Sequence, residues 1–262
     1  MDPEKNPGKT GRTAPGTNEA LLLTAAAAGL FVFQSLASKA GGLVAGFFDY
    51  SCIDKDGVFM YITVHHLVQM GIACAAIVLA RKMPGRLGTL RGTDFHLKPK
   101  LSRTGIFHTA IFSVIIMVYV FISYIAAYRL GRIEPPGYKL TAANVIGSLG
   151  FQLLFSGTSE EILFRALPIT ILDVLPSRPG CGRQLLSVVI ASFLFSLAHI
   201  RWSLFPTSMS FSCFQLVYAF ILGIVYGITF LKSRSVLYPA VMHGLSNFVM
   251  VGAGYMFAVF SR

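Results

Sequence analysis

Three small groups of polar residues interrupt apolar stretches of the chain. Glu160, Glu161 and Arg165 fall inside the run from Leu140 to Leu172. His199 ends the stretch Phe195-Ser196-Leu197-Ala198-His199, and His243 and Asn247 lie four residues apart in a third run. Glu161 and Arg165, at i and i+4, share a helical face and can pair, which lowers the cost of burying either. Adjacent helical residues point about 100° apart, so Glu160 faces elsewhere and has no partner nearby in sequence. A carboxylate in that position suits proton transfer. With His199 it can activate a water for attack on a peptide carbonyl, while His243 and Asn247 stabilise the oxyanion. The same residue types allow a second chemistry, in which Glu160, His199 and His243 hold a zinc ion with a position open to water.

Plainer readings stand beside these. A Glu–Arg pair can serve helix packing alone, and an intramembrane His or Asn often only hydrogen-bonds a neighbouring helix. His65-His66 has no partner at a useful spacing and is assigned a structural or solvent-facing role. The sequence holds no HExxH, no GxSxG, no Ser–His–Asp set within the apolar runs and no phosphate-binding loop.

These residues need a scaffold, and the composition indicates which. The 262 residues are 54% hydrophobic and only 13% charged, against roughly 25% charged in a soluble domain. The apolar residues come in long blocks, which points to an all-α polytopic membrane bundle. Outer-membrane barrels show short alternating segments instead. The net charge of +11 lies mostly between the runs, as topology signals do, so nucleic acid is not implied. Cys52, Cys74, Cys181 and Cys213 make no CxxC pair and read as free, mostly buried side chains.

In order, residues 1–19 read as a polar, disordered tail, and residues 20–262 as the membrane domain. Seven spans are expected, near Ala20–Gly46, Val58–Ala80, Gly105–Tyr128, Leu140–Leu172, Gln184–Ile200, Ser210–Leu231 and Val236–Phe260. Lys39 lies near an end of the first and can snorkel. A basic loop, Arg81 to Arg103, follows the second. The fourth is longer than the ~30 Å hydrocarbon core, with Gly157 and Pro168 as places to bend. With the N-terminus cytoplasmic, inner segments carry fourteen Lys or Arg and outer segments six, the asymmetry expected of that orientation. Depth from the inner side, at ~1.5 Å per residue, comes to roughly 20 Å for Glu160 and His199, 17 Å for Asn247 and 11 Å for His243. Residues from three spans thus fall in one slab.

The succession EExxxR, FxxxH and HxxxN on separate apolar runs resembles the CPBP family of intramembrane proteases, which includes CAAX prenyl endopeptidases and bacteriocin-processing or immunity proteins. Glu160-Glu161 with Arg165, Phe195 with His199, and His243 with Asn247 meet that pattern over residues 142–250. The resemblance implies an intramembrane endopeptidase acting on a lipidated or membrane-associated peptide in a bacterial or archaeal-type cell membrane. Glu160 and His199 would activate water, His243 and Asn247 would form the oxyanion hole, and Glu161 and Arg165 would hold the geometry or contact substrate. The family core often has an eighth span. The family has been described with and without metal; the metal-free reading is favoured because Asn247 makes a better donor than zinc ligand. Two other functions fit membrane helices of this kind: a non-catalytic immunity or chaperone-like protein, and an ion-coupled transporter. The halves show no internal repeat, which argues against the last.

Overall fold

In hydrocarbon a backbone must satisfy its own hydrogen bonds, so long apolar runs become helices. The computed structural model describes residues 17–82, 90–175, 181–204 and 207–260. Its elements are α1 (Thr17–Ala45), α2 (Met60–Ala80), α3 (Arg103–Arg129), α4 (Ala142–Phe151), α5 (Gly157–Glu161), α6 (Leu167–Val174), α7 (Cys181–Leu197), β1 (Arg201–Leu204), β2 (Thr207–Ser210), α8 (Cys213–Ser233) and α9 (Leu237–Phe260). Two π-turns, Gln152–Ser156 and Ile162–Ala166, join α4 to α5 and α5 to α6. The protein is an all-α polytopic membrane protein with one small hairpin.

Among the described residues, five helices, α1, α2, α3, α8 and α9, are long and apolar enough to cross a membrane. Their bounds agree with five of the expected spans to within about three residues. The other two runs take different forms. The fourth is the segmented helix α4–α6, and in the fifth α7 stops at Leu197, before His199. Thr17–Glu19, assigned to the tail by composition, form the first turn of α1. Residues 1–16 and 83–89 of the basic loop lie outside the described residues.

The segmented helix is the centre of the bundle. Every residue from Glu161 to Thr170 is buried. Leu163, Leu167 and Leu172 pack with Val188, Ala191 and Leu194 of α7 in the main apolar cluster. The two π-turns end at Ser156, directly before Gly157, and at Ala166, two residues before Pro168, next to the positions where bending was expected. Proline has no N–H to give the preceding turn, so a widened turn there costs no extra hydrogen bond.

By contrast, α3 is apolar all round. Gly105, Phe112, Ile116 and Val120 are buried, and the last three cluster with Tyr226 of α8 and Met242 of α9. Its other faces expose Phe107, Ile111, Val114, Ile115, Val118 and Phe121. Outward apolar side chains of this density suit lipid rather than water.

Two contacts fix the helices that carry the polar groups. A side chain at Gly244 of α9 would meet the Leu153 carbonyl oxygen at 2.7 Å. One at Gly157 would meet the Ala240 carbonyl oxygen and the Gly244 nitrogen. The two glycines let α9 cross the central helix backbone to backbone, which places His243 against α5. At the other side, the buried Asp54 carboxylate accepts from the backbone N–H groups of Val58 (2.8 Å), Phe59 (2.7 Å) and Met60 (2.7 Å). These are donors that a helix start leaves without partners, so Asp54 pins the beginning of α2. Burial alone would raise its proton affinity, but the donors of Met60, Phe59, Val58 and Gly57 outweigh that and hold the carboxyl below its usual range.

The cysteines differ from expectation. Cys74 is half-buried, but Cys52 and Cys213 are exposed. Cys52 lies in the connection before α2 and Cys213 is the first residue of α8, so neither is inside the packed interior.

Candidate active site

Glu160 and Glu161 are neighbours on α5 and have opposite environments. The Glu161 side chain is 0% exposed and lies 3.1 Å, through Oε2, from Nε of Arg165, itself 0% exposed. This is the i to i+4 pair expected from spacing. The contact lacks hydrogen-bond alignment, and the buried Arg165 Nη atoms have no hydrogen-bond partner. Aromatic faces supply the remaining compensation: the guanidinium carbon lies 4.1 Å from the Phe195 ring centroid and 5.4 Å from that of Tyr226. Burial in a dry site strengthens such cation–π attraction. Phe195 thus has a physical task in its motif besides preceding His199 by four residues.

The second oxygen of Glu161, Oε1, accepts from Nδ1 of His243 at 2.7 Å. His243 stacks on Tyr226, centroids 5.3 Å apart, and the Tyr226 hydroxyl meets Ser246 Oγ at 3.0 Å. The imidazole is therefore held on its face and at one nitrogen. Its other nitrogen, Nε2, lies 3.8 Å from Glu160 Oε2.

Glu160 itself is 19% exposed at its side chain. It lines a cavity of about 390 Å³ together with His66, His199, Gln69, Lys39 and Trp202. Its Oε1 is 3.0 Å from Nε2 of His66 on α2. Reading the sequence left Glu160 without a partner and put His66 aside. The structure joins them across 94 positions of sequence.

His199 follows the end of α7 in a turn, its backbone N–H donating to the Ser196 carbonyl at 3.0 Å. Its Nδ1 donates to the Phe195 carbonyl at 2.9 Å, which leaves Nε2 for the cavity chemistry. His199 is close enough to Glu160 to interact with it electrostatically. Directly after it, β1 and β2 form an antiparallel pair with Arg201 opposite Ser210 and Trp202 opposite Met209. The exposed Trp202 side chain lines the cavity edge. This hairpin was not expected.

Asn247 is placed differently from Glu160 and His199. It does not line the cavity, and its Nδ2 donates to Ser156 Oγ at 2.9 Å. Ser156 precedes Glu160 by one helical turn, so Asn247 braces the central helix below the carboxylate.

Much of the cavity wall comes from α1 and α2, where no motif was read. Gln34, Ser35, Ser38 and Lys39 of α1 face it, as do His65 and Gln69 of α2. Lys39, expected to snorkel towards an interface, is exposed at this edge. Among the described residues, no group of three or more His, Cys, Asp or Glu side chains has a metal-holding arrangement.

A polytopic helical bundle with a carboxylate and several imidazoles gathered in an internal cavity defines an intramembrane enzyme-like centre. Residues 142–249 match the family model of type II CAAX prenyl endopeptidase Rce1-like proteins. Over this segment the chain is similar to that family of CAAX-type intramembrane proteases, the resemblance that the three motifs carried. No curated protein and no solved structure matches the chain.

Proposed function

We propose that the protein is an intramembrane endopeptidase that hydrolyses a peptide bond of a lipidated or membrane-associated substrate, with Glu160 as general base and no metal. One observation carries this reading: histidines from α2, the α7 end and α9 converge on a single carboxylate that borders a cavity, while the adjacent carboxylate is sealed in a structural pair.

Glu160 takes a proton from water as the oxygen attacks the carbonyl carbon. The carbonyl π electrons move to oxygen, and the oxyanion is stabilised by imidazole donors. His243 can donate from Nε2 only when doubly protonated, and Glu161 on Nδ1 supplies the counter-charge for that form. Collapse of the tetrahedral intermediate breaks the C–N bond, and the proton that Glu160 took from water passes to the leaving amine, directly or relayed through His199. Asn247 acts by bracing Ser156 and thus the pitch of α5. Glu161 and Arg165 hold His243 in place.

The test is a comparison of membrane-protein termini with wild type and with Glu160→Gln or His199→Ala. Each variant should abolish a common set of cleavages, a loss of at least ~100-fold for removal of a general base, while the protein remains folded. Full cleavage by both variants would refute the mechanism. Stoichiometric zinc in purified, active protein would overturn the metal-free assignment.

A further inference from the structure

We infer that His66 is a positioning residue for the Glu160 carboxylate, a part of the site contributed by α2, outside the family segment and outside its three motifs. The inference rests on the protease reading above.

The ring is fixed on two sides. Its Nδ1 donates to the Ile62 carbonyl at 2.9 Å, and its edge packs on Phe151 with centroids 5.0 Å apart. The residue is 9% exposed. The helix beneath it is held as well. Asp54 pins the start of α2, and a side chain at Gly41 of α1 would meet the His65 carbonyl oxygen at 2.7 Å. Gly41 therefore lets α1 close against α2 beside the histidine pair.

The proton count follows from these bonds. A carbonyl only accepts, so Nδ1 keeps its hydrogen. The contact between Nε2 and Glu160 Oε1 then contains one proton, on one partner or the other. Glu160 can receive a proton from water only as a carboxylate, and in that form His66 is the donor. His66 thus occupies Oε1 and fixes the carboxylate plane. Oε2 remains, facing His243 Nε2 at 3.8 Å and the cavity. Without His66, rotation of the Glu160 side chain would move the basic oxygen, and a misplacement of about 1 Å can cost ~100-fold in rate.

A buried His–Glu contact could also serve folding alone, and the experiment separates the two roles. Termini that disappear with Glu160→Gln identify the substrate. That sequence, made as a membrane-anchored peptide in phosphatidylcholine vesicles, is then used with purified full-length wild type, His66→Ala and His66→Gln. His66→Ala should lower kcat by about 10- to 100-fold with KM little changed. His66→Gln, whose amide nitrogen can donate to the same oxygen, should restore most of kcat. Undiminished kcat in His66→Ala, with Glu160→Gln inactive, would overturn this role and leave the protease reading standing. Equal loss in both His66 variants, matched by equal loss of folded protein, would make the contact structural and overturn it too. If Glu160→Gln alters no terminus, the protease reading fails and this inference with it.

Discussion

The Glu161–Arg165 pair can be tested apart from catalysis. Two unit charges 3.1 Å apart attract by about 5 kcal/mol at an effective dielectric constant of ~20. Both side chains are wholly buried, so removing one partner strands the other charge, at a cost of about 3–5 kcal/mol. Arg165→Met keeps a long unbranched stem and removes the guanidinium that lies over Phe195. Glu161→Gln keeps an acceptor for Nδ1 of His243. Each single variant should therefore lose most of that amount. The double variant strands no charge and should lose much less than the sum, giving a coupling of about 3 kcal/mol or more. Unfolding in mixed detergent micelles by titration with sodium dodecyl sulfate, followed by far-ultraviolet circular dichroism, measures all four proteins on one scale. Additivity within about 0.5 kcal/mol would show that the charges do not depend on each other. It would then leave the burial of the guanidinium to its aromatic neighbours.

Three further outcomes are expected. Gly244→Ala forces a methyl group to within 2.7 Å of the Leu153 carbonyl oxygen; it should destabilise by about 1–3 kcal/mol and lower cleavage by separating α9 from α5, whereas a variant with wild-type stability and rate would contradict the close crossing. Asp54 has its folded carboxyl held low, so its contribution is complete above the unfolded value of 3.8 and is lost as pH falls through the lower folded value. The stability gap between wild type and Asp54→Asn, about 1–2 kcal/mol for a helix-start carboxylate, should hold above 3.8 and close in stronger acid; a gap that widens on acidification would contradict the sign. Finally, a cytoplasmic N-terminus places the exposed Cys52 and Cys213 towards the outer side. A membrane-impermeant maleimide should label both in intact cells, and labelling only after permeabilisation would invert the orientation.

Much of the site was legible because its chemistry is expensive in lipid. Charges and imidazoles in apolar runs are few, and their spacing separates Glu161 with Arg165 from Glu160 without any structure. The helix bounds were legible for the same reason, since hydrophobic length sets a span. His66 was not, because its partner lies 94 residues away and one-dimensional spacing carries no information on which helices are neighbours. A pair of histidines on one apolar helix also has an ordinary explanation. Asn247 was legible as a polar intramembrane group but not in its aim, because facing Ser156 or the cavity depends on the pitch of the central helix. The π-turns that set this pitch leave no trace in a 3.6-residue period. The hairpin after His199 is too short to show alternation.

Each π-turn amounts to one residue inserted into an α-helix. Gln152–Ser156 and Ile162–Ala166 thus bracket the acidic motif between two phase shifts. Deleting a single residue from the second would let the helix relax to regular pitch. The residues beyond would keep their facing, whereas a deletion in the regular turn Gly157–Glu161, which holds no extra residue, would turn Glu160 and Glu161 by about 100° against one of their flanking segments. Length is accordingly constrained here as strictly as residue type. The central helix can accept many apolar substitutions, but a gain or loss of one residue within Gly157–Glu161 would dismantle the site without touching any of its polar groups. Deletion scanning should show this as a narrow intolerant window inside an otherwise forgiving apolar run.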